Sequence, residues 1–211
     1  MSGHYGEDGN SVQDDIVAGT DTGNLYGVID KDNVHGLNLS VPEDARAVIK
    51  PWNEREDDTR YADSGVDDQL VIHIPFSQNV RVRSILLKLG RGELTPRHLR
   101  IFANHPNVVD FADAESLRPN LDISLLEGET TVIEYPLRAA SFTNVHSLSL
   151  HFGEAVGEEI SRIYYIGFKG DTRTVRKEGS NKLEVPAANA ADASLVDRVK
   201  ERTAGQQSTA R

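Results

Sequence analysis

At 211 residues, with a formal net charge of −10 and no cysteine, the chain is long enough for one well-buried core, and it excludes disulfides, thiolate chemistry and cysteine-ligated zinc. The acidic balance also works against duplex nucleic acid as a partner, because its phosphates are repelled unless a strong basic face overcomes the field. No stretch approaches the roughly 18 apolar residues that a membrane span requires. The start, MSGHYGEDGNS, has neither the basic flank nor the apolar centre of a secretion signal. The expectation is a cytoplasmic and nuclear protein with no membrane partner.

Residues 1–23 are polar, glycine-rich and acidic, with too little apolar surface to offset chain entropy, which predicts a flexible N-terminal tail. Asn53 to Asp68 (NEREDDTRYADSGVDD) concentrate carboxylates and predict a long solvated loop. From Gln69 the pattern becomes that of strands. QLVIHIPF predicts one strand, with Pro75 marking a sheet edge or strand end because proline donates nothing to a ladder. SQN predicts a turn and NVRVRSILLKLG a second strand. In that second run Val80 and Val82 alternate with Arg81 and Arg83, and after Ser84 the phase flips so that Ile85, Leu87 and Leu89 take the arginines' parity. Such a flip predicts a β-bulge, or passage from a half-exposed to a buried setting, with the arginines on the rim.

RHLRIFAN, Arg97 to Asn104, predicts the next strand, and DFADAES, Asp110 to Ser116, a brief helix opened by a capping aspartate. LDISLL and TTVIEYPL predict short strands. NVHSLSLHF alternates, with His146, Leu148, Leu150 and Phe152 on one face and Val145, Ser147, Ser149 and His151 on the other, and ISRIYYIGFKG predicts the last strand. Short strands at close spacing with no long helical period point to an all-β sandwich or jelly roll. Beyond Asp171 the chain is first basic and then poor in bulky residues, which predicts a flexible or loosely docked tail over 172–211, with at most a weak helix near Leu195 to Arg202.

Seven histidines invite a metal, but no compact HxH or HxxxH pair occurs. His146 and His151 point to opposite faces, and His98 and His105 are separated by a proline turn. The carboxylates of the 54–68 loop lack the alternation of a calcium loop. No nucleophile elbow or phosphate-binding loop is present. Paired carboxylates for glycoside hydrolysis have no spacing that marks them in sequence. No cofactor, metal site or catalytic set is therefore predicted. Trp52, the single tryptophan, is either packed beneath the acidic loop or a stacking and interface surface. Arg81, Arg83 and Lys88 either protect an exposed strand edge or read an acidic partner.

Several segments together resemble the PITH domain, the proteasome-interacting module of thioredoxin-like proteins that also occurs as a stand-alone protein. They are GLN at 36–38, DSGVDDQLVIHIPFSQNV at 63–80, RIFANHPNVVDFADAES at 100–116, FTNVHSLSLHF at 142–152 and EEISRIYYIGFKG at 158–170. The resemblance runs from about Leu25 to Asp171 and rests on five segments in order. It implies an antiparallel β-sandwich jelly roll, similar to galactose-binding-like domains, over residues 24–171. It also implies a non-enzymatic module that docks on subunits of the regulatory particle of the 26S proteasome. Lacking cysteine, the chain inherits no redox activity and looks most like the stand-alone form, expected to be a monomer. The partner-binding candidates are Asp63, Asp67 and Asp68, then Trp52, Arg81 and Arg83. The alternative is a small-ligand or glycan-binding module that uses loops at one end of the sandwich, with Trp52 and Tyr61 as stacking surfaces.

Overall fold

The computed structural model describes residues 23–172. The expectations for the two tails, including the weak helix near Leu195, fall on residues outside the described ones apart from Gly23 and Thr172. The elements in chain order are β1 (His35–Leu37), α1 (Asp44–Ala47), β2 (Ala62–Asp63), β3 (Leu70–Leu89), β4 (Pro96–Ala103), α2 (Phe111–Ser116), β5 (Leu121–Ser124), β6 (Ile133–Pro136), β7 (Val145–Ala155) and β8 (Arg162–Thr172), with short 3-10 turns between several of them. Every pairing between these strands is antiparallel.

The strand–turn–strand expected between Gln69 and Gly90 is instead one strand of 20 residues. Its first half pairs with β7 and β1, and its second half with β8 and β6. Ser77, Gln78 and Asn79 are exposed as a turn would be, but they stay extended and carry the chain around a corner. The register with β7 shifts between Pro75 and Val80, and Val80 pairs with both Val145 of β7 and Thr172 of β8. Strands that change sheets do so at such irregularities, where a proline's missing donor is tolerated. Pro75 thus marks the point of departure from β7, not a strand end.

Two layers result. One is β1-β3-β7-β4-β5 and the other β6-β3-β8-β2, joined through β3. Leu70, Ile72 and Ile74 from the first half of β3, and Val82, Ile85 and Leu87 from the second, meet Leu99, Ile101, Leu148, Leu150, Phe152, Ile166 and Phe168 in one core. The expected bulge is present: Val82 pairs with Gly170 and Ser84 with Lys169, so Arg83 is the extra residue. That insertion lets Val82 and Ile85, of opposite parity, both face inward.

β7 departs from simple alternation. Val145 joins the core and His146 is exposed, so the inward phase of Leu148 to Phe152 does not extend back to His146. Helix α2 forms as expected, its N-cap Asp110 accepting from the Asp113 N–H at 2.8 Å. It lies on the back of the first layer, where Val109 and Ala114 pack on Phe102.

Candidate functional site

The back of the second layer carries the densest set of charged side chains. Lys50 and Lys88 are 1% and 4% exposed, and a buried ammonium must find oxygen partners. The segment from Pro51 to Tyr61 supplies them. Lys50 Nζ donates to the carbonyls of Asp57 and Arg60 at 2.6 and 2.7 Å. Lys88 Nζ meets the Glu56 carbonyl and carboxylate, both at 2.9 Å, and the Asp58 carboxylate at 2.7 Å. Burial pushes the Lys50 pKa down, with Asp57 opposing it. Burial works against the Lys88 ammonium as well, but the hydrogen bonds it donates to Asp58 and Glu56 outweigh burial and raise the pKa.

The loop also binds itself. Asp57 accepts from the Thr59 hydroxyl and N–H at 2.6 and 2.9 Å and from Arg60 Nε at 3.1 Å. The Thr59 contacts come first in holding its carboxyl well below the usual range. Arg60 also pairs with Glu54, and Arg55 donates to the Trp52 carbonyl at 2.8 Å. The acidic run is therefore a folded cover, not a freely solvated loop, and Lys88 lies buried beneath it, not on an exposed strand edge. A lysine in the middle of an apolar strand, in a chain that also carries an acidic segment, is the signal in the sequence that points to this pairing.

The predicted site residues separate into three places. Asp63, Asp67 and Asp68 gather at one end of the sandwich, all in internal bonds. Asp63 holds Arg162 through two parallel contacts of 2.6 and 2.7 Å, and that pairing raises the Arg162 pKa. Asp67 accepts from Asn38 Nδ2 at 2.6 Å, and Asp68 from the Ala155 N–H at 2.7 Å. Arg81 and Arg83 lie just past the corner in the middle of β3, Arg81 opposite Asp171 of β8 and Arg83 at the bulge between the Val82–Gly170 and Ser84–Lys169 pairs. Arg83 pairs with Asp171 at 2.5 Å, while Arg81 Nε is buried without a hydrogen-bond partner among the described residues.

Trp52 stands half-buried over the back of the second layer, its ring 4.1 Å from the Arg55 guanidinium and 5.6 Å from Lys169 Nζ. Tyr61 carries the Arg162 guanidinium at 3.9 Å from its ring centre. One face of each aromatic offered by the sequence as a stacking surface is thus taken by an arginine of the same chain. Beside them a cleft of about 340 Å³ is lined by Ser40, Asp44, Thr59, Arg60, Tyr61 and Asp63 among others. Burial, followed by repulsion from Asp63 and Glu43, raises the Asp44 pKa there. Among the described residues no three His, Asp or Glu side chains converge as a metal site, and no described helix is long and apolar enough to cross a membrane.

The model of the PITH domain family matches residues 17–188. The chain belongs to the PITH domain family. Its relatives include the PITH domain-containing protein CG6153 of Drosophila melanogaster, 35% identical over 169 residues, covering 80% of this chain and 79% of that protein. The human PITH domain-containing protein 1 is 32% identical over 153 residues, 72% of each chain. Among solved structures, the CBM32-1 and CBM32-2 domains of Clostridium perfringens ZmpB match with a TM-score of 0.53 at 12% identity, over 77% of this chain and 40% of that one. At that identity the likeness shows the fold alone, a galactose-binding-like β-sandwich. The expected family and fold class are therefore both found. In this PITH domain the additional residues that shape the charged surface are Lys50, Lys88 and Arg162; the sequence offered Lys88 only as an edge-protecting or acidic-partner residue and singled out neither of the others.

Proposed function

We propose that this PITH domain is a non-catalytic docking protein of the cytoplasm and nucleus that associates, as a monomer, with subunits of the regulatory particle of the 26S proteasome. The supporting observation is the cover over the second layer. Two buried lysines fix an exposed array of carboxylates and one tryptophan in a single shape, so little ordering entropy is lost when a partner is met. A tryptophan framed by charge is the kind of anchor that dominates protein interfaces. The displaced pKa values of Lys88, Asp57, Glu134 and Arg162 arise from internal partners, as expected of a structural surface and not of groups poised for proton transfer.

The glycan-binding alternative is less well supported, because Arg55 and Arg162 occupy one face of Trp52 and of Tyr61. Purified full-length chain titrated into purified 26S proteasome and followed by co-sedimentation tests the proposal. Saturable binding that weakens about tenfold or more in Trp52→Ala is the expected result. Absence of binding to the intact particle and to its isolated regulatory subcomplex, beside saturable protection by a glycan in a thermal-shift screen, would overturn it in favour of the alternative.

A further inference from the structure

The back of the first layer holds a pair of imidazoles that the docking function does not use. His35 of β1 and His73 of β3 are directly opposite each other in register, and residues so placed on neighbouring antiparallel strands share a face with their Cβ atoms about 5 Å apart. Their ring centres are 5.1 Å apart and the planes tilted by 40°. Each ring already has its Nδ1 engaged. His35 Nδ1 lies 2.9 Å from the Asn33 carbonyl oxygen, and His73 Nδ1 lies 3.0 Å from Ser149 Oγ. Neither Nε2 has a partner among the described residues.

We propose that His35 and His73 form a two-imidazole binding site for a divalent zinc-class ion, ligated through their Nε2 atoms. The spacing fits. A Zn–N bond is about 2.0–2.1 Å, and an imidazole nitrogen lies about 1.1 Å from its ring centre. Two imidazoles on one tetrahedral ion therefore have ring centres about 5 Å apart. The second contacts fit as well, because metal-ligating histidines almost always donate the other ring N–H to a carbonyl, carboxylate or similar oxygen, which fixes the tautomer and aims the ring. The Asn33 carbonyl accepts that hydrogen bond for His35, and the Ser149 hydroxyl can accept it for His73.

The two rings open onto a cleft of about 430 Å³ that is also lined by two carboxylates, Asp30 and Asp32, and one guanidinium, Arg46, so the charge beside the open site is net negative. Because no third protein ligand converges among the described residues, water completes the coordination shell and the ion exchanges with solvent.

Zinc titrated calorimetrically into the untagged full chain at pH 7.5 tests the site, with imidazole 15N shifts recorded on the same samples. One saturable site is expected, with the His35 and His73 Nε2 resonances moving on binding. His35→Ala should weaken it about tenfold or more, while His146→Ala changes it by less than about threefold. His35 is exposed on a strand of three residues, so His35→Ala is expected to keep the fold, and it carries the test if His73→Ala does not. Zinc affinity unchanged in His35→Ala, shifts confined to other histidines, or no saturable zinc binding would each overturn the proposal.

Discussion

The two layers of this sandwich protect their backs by different chemistry. Behind the first layer, Phe102, Val109 and Ala114 form a small apolar cluster, and beside it Ser149 and His151 are buried with neutral partners, His73 and Gln69. Behind the second, Lys50 and Lys88 are buried beneath backbone carbonyls and carboxylates of one acidic segment. Burial lowers the pKa of both His73 and His151, so the buried polar groups of the first cover are neutral near pH 7, its Arg100–Asp122 ion pair being partly exposed, whereas the second cover buries its cations. Buried neutral groups are insensitive to salt and sensitive to mild acid. The ionic cover has the reverse dependence and presents a charged outer surface to a partner.

The sharpest way to break the ionic cover is to remove its most deeply buried cation. Lys50 satisfies two loop carbonyls from a fully buried position, so Lys50→Ala leaves acceptors unpaired above a cavity and is expected to cost about 3 kcal/mol, read as a lower urea midpoint. Lys88→Met separates fold from cover. The carboxylates it leaves, Glu56 and Asp58, are 47% and 41% exposed and can resolvate, and an apolar chain of similar volume fills the slot. Global stability should stay within about 1 kcal/mol, while amide exchange across Glu54 to Arg60 accelerates. Unchanged exchange there would mean that Lys88 does not hold the loop.

Acid tests the neutral cover. His73, near 4 in the fold, binds its proton less readily than in the unfolded chain, where an imidazole titrates near 6.5, so unfolding takes up protons between those values. Its stabilising contribution is complete above about pH 6.5 and is lost as the pH falls towards 4, and His151 acts in the same direction. After allowance for partial exposure, about 1–2 kcal/mol should disappear across this window, and His73→Gln should flatten the slope. Asp57 and Glu134 of the second cover are held below their usual ranges and lose their contribution only at lower pH. The smallest expected effect is at the cap of α2, where Asp110→Ala removes the bond to the Asp113 N–H and should cost about 1 kcal/mol without altering the ionic cover.

Most of the sandwich was legible because period-two alternation and turn residues act locally. The bulge at Arg83 followed from a single phase flip, and the α2 cap from one aspartate. What was not legible depends on which distant strands become neighbours. Local spacing gave no reason to pair His35 with His73, and only the β1–β3 register brings them together. Lys88 was grouped with the exposed arginines because charge usually marks solvent, yet Glu56 and Asp58, some thirty residues earlier, make its burial tolerable. Asp63, Asp67 and Asp68 were chosen for their charge, and the structure shows that charge already used within the fold. Among the candidates, Trp52 alone lies on the cover.

The 20-residue strand β3 has a mechanical consequence. Since one continuous backbone is a rung of both ladders, neither sheet can peel away without tearing pairings from the other. Melting should therefore proceed as a single concerted event across the whole sandwich. A cut in the exposed corner at Ser77 to Asn79 is where that linkage would come apart into two separately yielding halves.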